Sequence, residues 1–468
     1  MLGKVKSYSD FSGYGFIIGD DGNEYFAHVS KIIDSYSKSM DEDDQVSFSP
    51  QKNYKGKYAS EIHILQRKNI AEDDPSFILK RNPFTPQEPI SDANKFAGRK
   101  SAIKTSIDSL YNNKNILITG PRGIGKSSLA YQLLDTTAGE TDLLRKIGVT
   151  QDALFNNAIC DHRCMRGNTL SDIASGLLVT LCRNLNIDLT ESTISELGID
   201  LKLISYTHTE TYINMTPSDV VAAFTNQVEK IFDRQSDGKT GVTFLVDEID
   251  VLDSQIDIAS FFKAIIEKFK LDNYKSFFFI VSGVSGTIVD LISQHSSAGR
   301  LFEIIELEKM EYDDLVDIIR IHLYGTEVTI GSKEINQIVK YSDYFPQPIH
   351  LIGYHAFRID SDNLIDIEDI NKAIVFIVQK LKHQEYKIKF DNVKATKSTA
   401  VLRCIAQSKD SSVSLQYLCQ NIGGTESEIA GAIGELIRNE VLEKFSKTQY
   451  RIREPLFLVY LKIIFGVS

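Results

Sequence analysis

Residues 115–128 read Asn115-Ile-Leu-Ile-Thr-Gly120-Pro-Arg-Gly-Ile-Gly-Lys126-Ser127-Ser128, an apolar run, a glycine-rich turn and the opening of a helical period. From Gly120 to Ser127 the stretch satisfies Gly-x-x-x-x-Gly-Lys-Ser, the phosphate-binding loop pattern, and it lies between a predicted strand and a predicted helix as that pattern requires. Gly120, Gly123 and Gly125 let successive amide groups turn towards phosphate oxygens, and the helix start adds a favourable dipole. Lys126 can reach the β and γ oxygens, Ser127 is placed to ligate magnesium, and Pro121, Arg122, Ile124 and Ser128 complete the cradle. A second apolar run, Val242 to Val246, ends in Asp247-Glu248. An Asp at the end of a buried parallel strand can hold magnesium through water, and the adjacent Glu can polarise an attacking water. The implied chemistry is hydrolysis of a nucleoside triphosphate, ATP first, with Mg2+.

Working outward, a third apolar strand falls near Ser276 to Gly283, and amphipathic helices such as IASFFKAIIEKFKL separate the strands. That alternation predicts a parallel sheet covered on both faces, an α/β core over 96–308. The helical stretches that follow suggest an all-helical lid over 309–392. Residues 393–468 give two helical runs and a hairpin, the plan of a winged helix. The polar stretch 184–216 reads as an insertion or a mobile connection. Upstream, 67–95 holds four of the ten prolines beside an acidic patch and reads as a linker. Residues 1–66 give five short strands with turns between them and no helical period, a small antiparallel OB-type β-barrel. The chain is expected to be multidomain: barrel, linker, P-loop core with lid, winged helix.

The 468 residues carry a formal net charge of −11, so a nucleic-acid role must rest on a local surface. Segment charges are +3 for 393–468 and −3 for 1–66. Five cysteines, no apolar leader and no apolar run near the roughly 20 residues of a membrane span point to a cytoplasmic protein. Cys160, His162 and Cys164 lack the fourth ligand and second pair of a structural zinc site. They are read as a buried strand ending at Cys160 and its exit loop.

The order of these features resembles the AAA+ and STAND-type ATPases close to the origin-recognition ATPases, over roughly Phe96 to Ser468. The resemblance rests on the Phe96-Ala-Gly98-Arg99 box, GPRGIGKS, VDEID at Val246 to Asp250, Arg300-Leu-Phe, DYFPQPIHLIGYHAF and the C-terminal segment ending YRIREPLFLVYL. It implies that Phe96, Gly98 and Arg99 lie near the adenine and ribose. It also implies that Ser282 senses the γ-phosphate and Arg300 completes a neighbour's site; a strand cap and a surface charge are the plain alternatives. The lid departs from the pattern, with a proline-bearing turn at Pro346 and no Arg before Arg358, leaving closure to His350 or to packing. Nucleotide could then act as a slow switch.

In the barrel, Tyr14 and Phe16 on one strand share a face with Phe26 and His28 on the next, with Tyr8 nearby. Outward aromatics are costly to expose unless flat ligands cover them, and a stacked base gains about 1–3 kcal/mol. Gly3 to Leu65 resembles the cold-shock domain, through Gly13-Tyr-Gly15-Phe16-Ile17 and Phe26-Ala-His28. The resemblance implies binding of single-stranded RNA or DNA, with Lys6 and Lys55 among the rim cations. Ser7 stands where that family usually has a stacking tryptophan and Val29 where it has a phenylalanine, a loss of roughly 2–6 kcal/mol of stacking. A barrel converted to protein binding is the alternative.

The helix at 427–439 carries Glu428 and Glu435, with Glu426 and Glu440 flanking it, and one basic residue, Arg438, so a structural or protein-contact role is favoured over duplex reading. The whole reads as an ATPase coupling single-stranded nucleic-acid sensing to conformational change or assembly, as a homo-oligomer or with an effector protein. The alternatives are a slow nucleotide-gated signalling switch, as in defence against phage, and a duplex-DNA loader or transposition-type ATPase.

Overall fold

The computed structural model describes residues 1–468 apart from 10–13, 34–39, 41–42, 54–55, 67–80, 150–154, 188–215, 236–237, 272–275, 285–299, 394, 409–411, 445–447 and 468. The chain divides into two compact units, Met1–Arg81 and Asn82–Ser468.

The first unit is a closed barrel of five strands, β1 (Leu2–Ser9), β2 (Tyr14–Gly19), β3 (Glu24–His28), β4 (Gln45–Asn53) and β5 (Gly56–Gln66), in the order β1-β2-β3-β5-β4. Period-two alternation sends Val5, Ile17, Tyr25, Ala27, Val46, Phe48 and Ile62 inward, where each is buried. The same alternation turns Tyr14 and Phe26 outward. Gly15 is required by the close approach of β1, because a Cβ there would sit 2.1 Å from the Ser7 carbonyl oxygen. The β2–β3 turn is tied by Tyr25 Oη donating to Asp21 at 2.8 Å. Hydrogen bonds from Asn23 and Tyr25 hold the Asp21 carboxyl down at about 2.

The second unit begins with a parallel sheet. Its elements in chain order are α1 (Lys100–Tyr111), β6 (Asn115–Thr119), α2 (Lys126–Ala138), α3 (Asp142–Lys146), β7 (Ala158–Arg163), α4 (Leu170–Asn184), α5 (Pro217–Gln235), β8 (Val242–Asp247), α6 (Ile258–Leu271), β9 (Phe277–Gly283) and β10 (Phe302–Glu306). The sheet order is β10-β6-β9-β8-β7, all pairs parallel. Helices cover both faces, which is why every residue of β8 is buried. Ile116 and Ile118 pack with α1 and α2 on one face, Leu117 with α4, α5 and α6 on the other. On that second face Phe244 and Phe279, register partners on β8 and β9, stack with centroids 4.8 Å apart.

Helices α7 (Tyr312–Leu323), α8 (Ser332–Ser342), α9 (Pro346–Ile359) and α10 (Ile367–Leu381) follow, with a two-stranded pair β11 (Thr329–Ile330) and β12 (Leu364–Ile365). The chain ends in α11 (Lys387–Asp391), α12 (Thr396–Gln407), β13 (Val413–Ser414), α13 (Leu415–Ile422), α14 (Glu426–Arg438), β14 (Leu442–Lys444), β15 (Gln449–Ile452) and α15 (Pro455–Phe465). The expected lid helices and C-terminal hairpin are both present. They do not have separate cores, because one hydrophobic cluster runs from Phe84 through α7–α10 to Leu461.

The segment 82–95, expected as part of a linker, is built into the second unit. Asn82 Nδ2 donates to the Tyr354 carbonyl at 2.8 Å, and Gln132 Nε2 donates to the carbonyls of Ile90 and Ser91 at 2.8 Å each. Phe84 is 2% exposed, its ring stacked 5.6 Å from His322. Phe84→Ala should therefore cost about 3–5 kcal/mol. Calorimetry should show a lowered transition for the second unit and an unmoved one for the barrel.

Candidate nucleotide site and aromatic barrel face

The loop between β6 and α2 bends because its glycines occupy left-handed space, with φ of +148° at Gly120, +77° at Gly123 and +98° at Gly125. A Cβ on Gly120 would lie 2.7 Å from the Leu307 carbonyl oxygen, so that position also has no room for a side chain. Lys126 opens α2 at 9% exposure and donates to the carbonyls of Gly120 and Pro121, both at 3.0 Å. Burial lowers the pKa of its ammonium. A phosphate would offer that buried cation stronger acceptors than the two carbonyls.

The loop opens on a cavity of about 370 Å³. Of the residues expected there, Phe96, Arg99 and every position from Arg122 to Ser128 line it, as does Glu248; Gly98, Gly120 and Pro121 lie outside the lining. Arg99 also does a structural job, donating to the Glu308 carbonyl at 2.6 Å and the Ile124 carbonyl at 2.8 Å, with burial pushing it down to about 10. Gly98 has φ +68° and faces Asp314 so closely that a Cβ would lie 2.4 Å from its carboxylate. Ser128 accepts from the Ile90 amide at 3.1 Å.

Asp247 and Ser282 are 1% and 0% exposed and hydrogen-bonded to each other, beneath the cavity wall and not in its lining. The Glu248 amide donates to Asp247 Oδ1 at 3.1 Å. The Glu248 side chain is held in a fork by Arg163, Nε to Oε2 at 3.0 Å and NH2 to Oε1 at 2.6 Å. That hydrogen bonding keeps its carboxyl below the usual range. A strand ending at Cys160, as the sequence suggests, leaves Arg163 in the exit loop and hides its role. β7 in fact runs to Arg163, which pairs in register with Asp247. Cys160 and Cys164 are buried thiols, and among the described residues no group of three His, Cys, Asp or Glu side chains could hold a metal by itself.

From the lid, Ile318, Pro346, Gln347 and His350 reach the cavity, and the Gln347 amide donates to the Gly123 carbonyl at 3.3 Å. Arg358 lies at the far end of α9, its guanidinium 6.0 Å from the Tyr354 ring. The turn into α9 passes through two non-glycine residues with positive φ, Asp343 at 51° and Tyr344 at 65°. It is held by Lys309 to Asp343 at 2.6 Å, Arg451 to Asp343 at 3.1 Å and the Met310 amide to the Tyr344 carbonyl at 3.0 Å. Arg451 also pairs with Glu443, and Arg453 with Glu440 at 3.0 Å. Both arginines of the C-terminal hairpin are thus engaged within the chain. Arg300 is exposed and away from the cavity lining, and residues 285–299 just before it lie outside the described residues.

On the barrel, Tyr14 and Phe26 are 45% and 38% exposed. Their ring centroids are 5.5 Å apart; Phe16 meets Phe26 at 5.9 Å, and His28 stacks on Phe26 at 6.4 Å. Register explains the ladder, with Tyr14 opposite His28 and Phe16 opposite Phe26. Tyr8 is half-buried. Lys6 sits at an irregularity in β1 and pairs with Glu24 at 2.5 Å; Lys55 lies outside the described residues.

Residues 1–65 match the family described as 'Cold-shock' DNA-binding domain. They are similar to Cold shock protein 1 of Lactiplantibacillus plantarum, 37% identical over 60 residues, 13% of this chain and 91% of that protein. A cold shock-like protein of Thermotoga maritima is 36% identical over 66 residues, 14% of this chain and 100% of that protein. The N-terminal barrel belongs to the cold-shock family. The second unit shares its fold with the Walker-type ATPase of Pyrococcus abyssi, at a TM-score of 0.50 and 16% identity over 80% of this chain and 99% of that one. The Orc1 protein of Aeropyrum pernix in complex with DNA is similar at a TM-score of 0.39 and 13% identity, over 78% of this chain and 92% of that one. In the cold-shock domain the aromatic ladder is continuous despite Ser7 and Val29, because cross-strand pairing between β2 and β3 assembles it. Among the described residues no helix is long and apolar enough to cross a membrane.

His350 is buried and its pKa is pushed down to about 3, burial being the main cause. Its ordinary value is near 6.5, so below that pH the unfolded chain takes up a proton that the folded chain refuses. Stability is therefore complete above pH 6.5 and falls on acidification, by up to about 1.4 kcal/mol per pH unit from this group. The same sign holds for His322, also lowered by burial. Melting curves at pH 7.5 and 5.5 should show a smaller acid-induced drop for His350→Gln than for the parent.

Proposed function

We propose that the second unit binds and hydrolyses ATP with Mg2+, and that the cold-shock domain binds single-stranded RNA or DNA, the two activities being coupled through one chain. The observation that carries this reading is the buried Lys126 ammonium at the base of a loop whose backbone is bent by positive-φ glycines, with Glu248 lining the same cavity. Ser127 and Asp247 supply hard oxygen donors of the kind magnesium takes, Asp247 through water. The metal would supply charge neutralisation at the phosphates; the chain's own part is to position them. Lys126 exchanges its two carbonyl partners for phosphate oxygens. Glu248 stays ionised and can accept a proton from water once it leaves Arg163.

The Arg163 fork and the absence of a lid arginine from the cavity lining favour slow turnover. They support the second reading, a nucleotide-gated signalling switch that recruits an effector or assembles with further copies, as in antiviral defence. The C-terminal helices and three-stranded sheet β13-β15-β14 support a winged-helix reading. The pairing of Arg451 and Arg453 favours a protein-contact role for it over duplex DNA.

Titration calorimetry and phosphate release on the full chain test the first reading. Lys126→Ala should lose ATP binding by at least about 100-fold, two hydrogen-bonded charge contacts being removed. Glu248→Gln should retain binding and lose turnover. Parent protein that binds no nucleoside triphosphate in the presence of Mg2+ would refute it. For the cold-shock domain, Phe26→Ala should weaken a fluorescent single-stranded oligonucleotide by about 1–3 kcal/mol in anisotropy at fixed salt.

A further inference from the structure

Beside the phosphate loop the cavity lining includes Thr85–Ile90, Phe96, Met310 and Ile318, with polar side chains from Gln87, Glu88 and Lys95 and, from the lid, His350. His350 is 5% exposed. Its Nδ1 lies 3.4 Å from the Thr85 amide nitrogen, which donates to it. An imidazole that accepts at Nδ1 carries its proton at Nε2, so the ring presents a single donor there. Thr85 is its only hydrogen-bond partner among the described residues.

The ring is also fixed in orientation. His322 meets it edge-on with centroids 4.5 Å apart, and Phe84 does so at 6.0 Å. His322 cannot rotate freely, since its Nδ1 lies 2.8 Å from the Ile318 carbonyl. Phe84 is backed by Gly353, where a Cβ would lie 2.7 Å from the ring. Phe84 and Thr85 therefore act as positioning residues for His350. Phe96, Met310 and Ile318 give a flat heterocycle apolar surface to lie against, and an oriented donor beside them sets its rotation by one hydrogen bond. Adenine carries unprotonated ring nitrogens at N1, N3 and N7, whereas uracil offers none.

We propose that His350 orients the base of the bound nucleotide, donating from Nε2 to one ring nitrogen of a purine. This rests on the nucleotide reading of the cavity and adds the residue that discriminates the base.

The test is titration of the full chain with Mg-ATP and with 1-deaza-, 3-deaza- and 7-deaza-ATP, on the parent and on His350→Phe. One analogue should bind the parent about tenfold more weakly than ATP, the loss of one hydrogen bond to a buried donor. His350→Phe should bind ATP and that analogue alike. The same loss in both proteins would assign the contact to another group and overturn the inference. Equal binding of all four nucleotides to the parent would overturn it without any variant. Failure of ATP itself to bind the parent would instead remove the nucleotide reading, and this inference with it.

Discussion

The glycine loop between β6 and α2 is first of all a constraint on backbone. Three left-handed glycines within six residues leave the buried Ile124 as the loop's core-packed side chain, so much of its shape is set by what presses on its backbone. The Leu307 carbonyl crowds Gly120 from the exit of β10, Arg99 holds the Ile124 carbonyl, and Gln347 bonds the Gly123 carbonyl from the lid. Core and lid are thereby attached to the same few peptide groups. The lid meets the loop both through that backbone hydrogen bond and through the Gln347 and Pro346 side chains packed over Gly123 and Gly125.

What was legible in the sequence was whatever is written in local pattern. GPRGIGKS specifies its turn through glycine, and VTFLVDE reads as a strand buried on both faces through an unbroken apolar run. The alternation in YGFIIG and EYFAH separates the inward Ile17, Tyr25 and Ala27 from the outward Tyr14 and Phe26. What was hidden depends on partners far away in the chain. NPFTPQEPI has the composition of a linker, and only His322, His350 and Gly353, more than 200 residues on, turn Phe84 into a core residue. Arg163 follows five residues with no clear strand end, and its meaning comes from lying beside Asp247 across the sheet.

Charge tells a similar story. A hairpin with Arg451 and Arg453 looks basic in one dimension, yet Glu443, Asp343 and Glu440 have already taken those guanidinium groups. Lys6 of the cold-shock domain meets Glu24 in the same way. The exposed pairs among them, Lys6–Glu24 and Arg453–Glu440, contribute little to stability. Their effect is to lower the cationic surface that a polyanion would meet.

The unbroken apolar cluster from Phe84 to Leu461 bears on how the molecule can be divided. A fragment that begins after the phenylalanine, or stops short of the final helix, would leave a broad greasy surface facing water and would tend to aggregate rather than report on the remaining part. The cold-shock portion has its own interior and is the piece that evolution, or an experimenter, can exchange without reopening the rest.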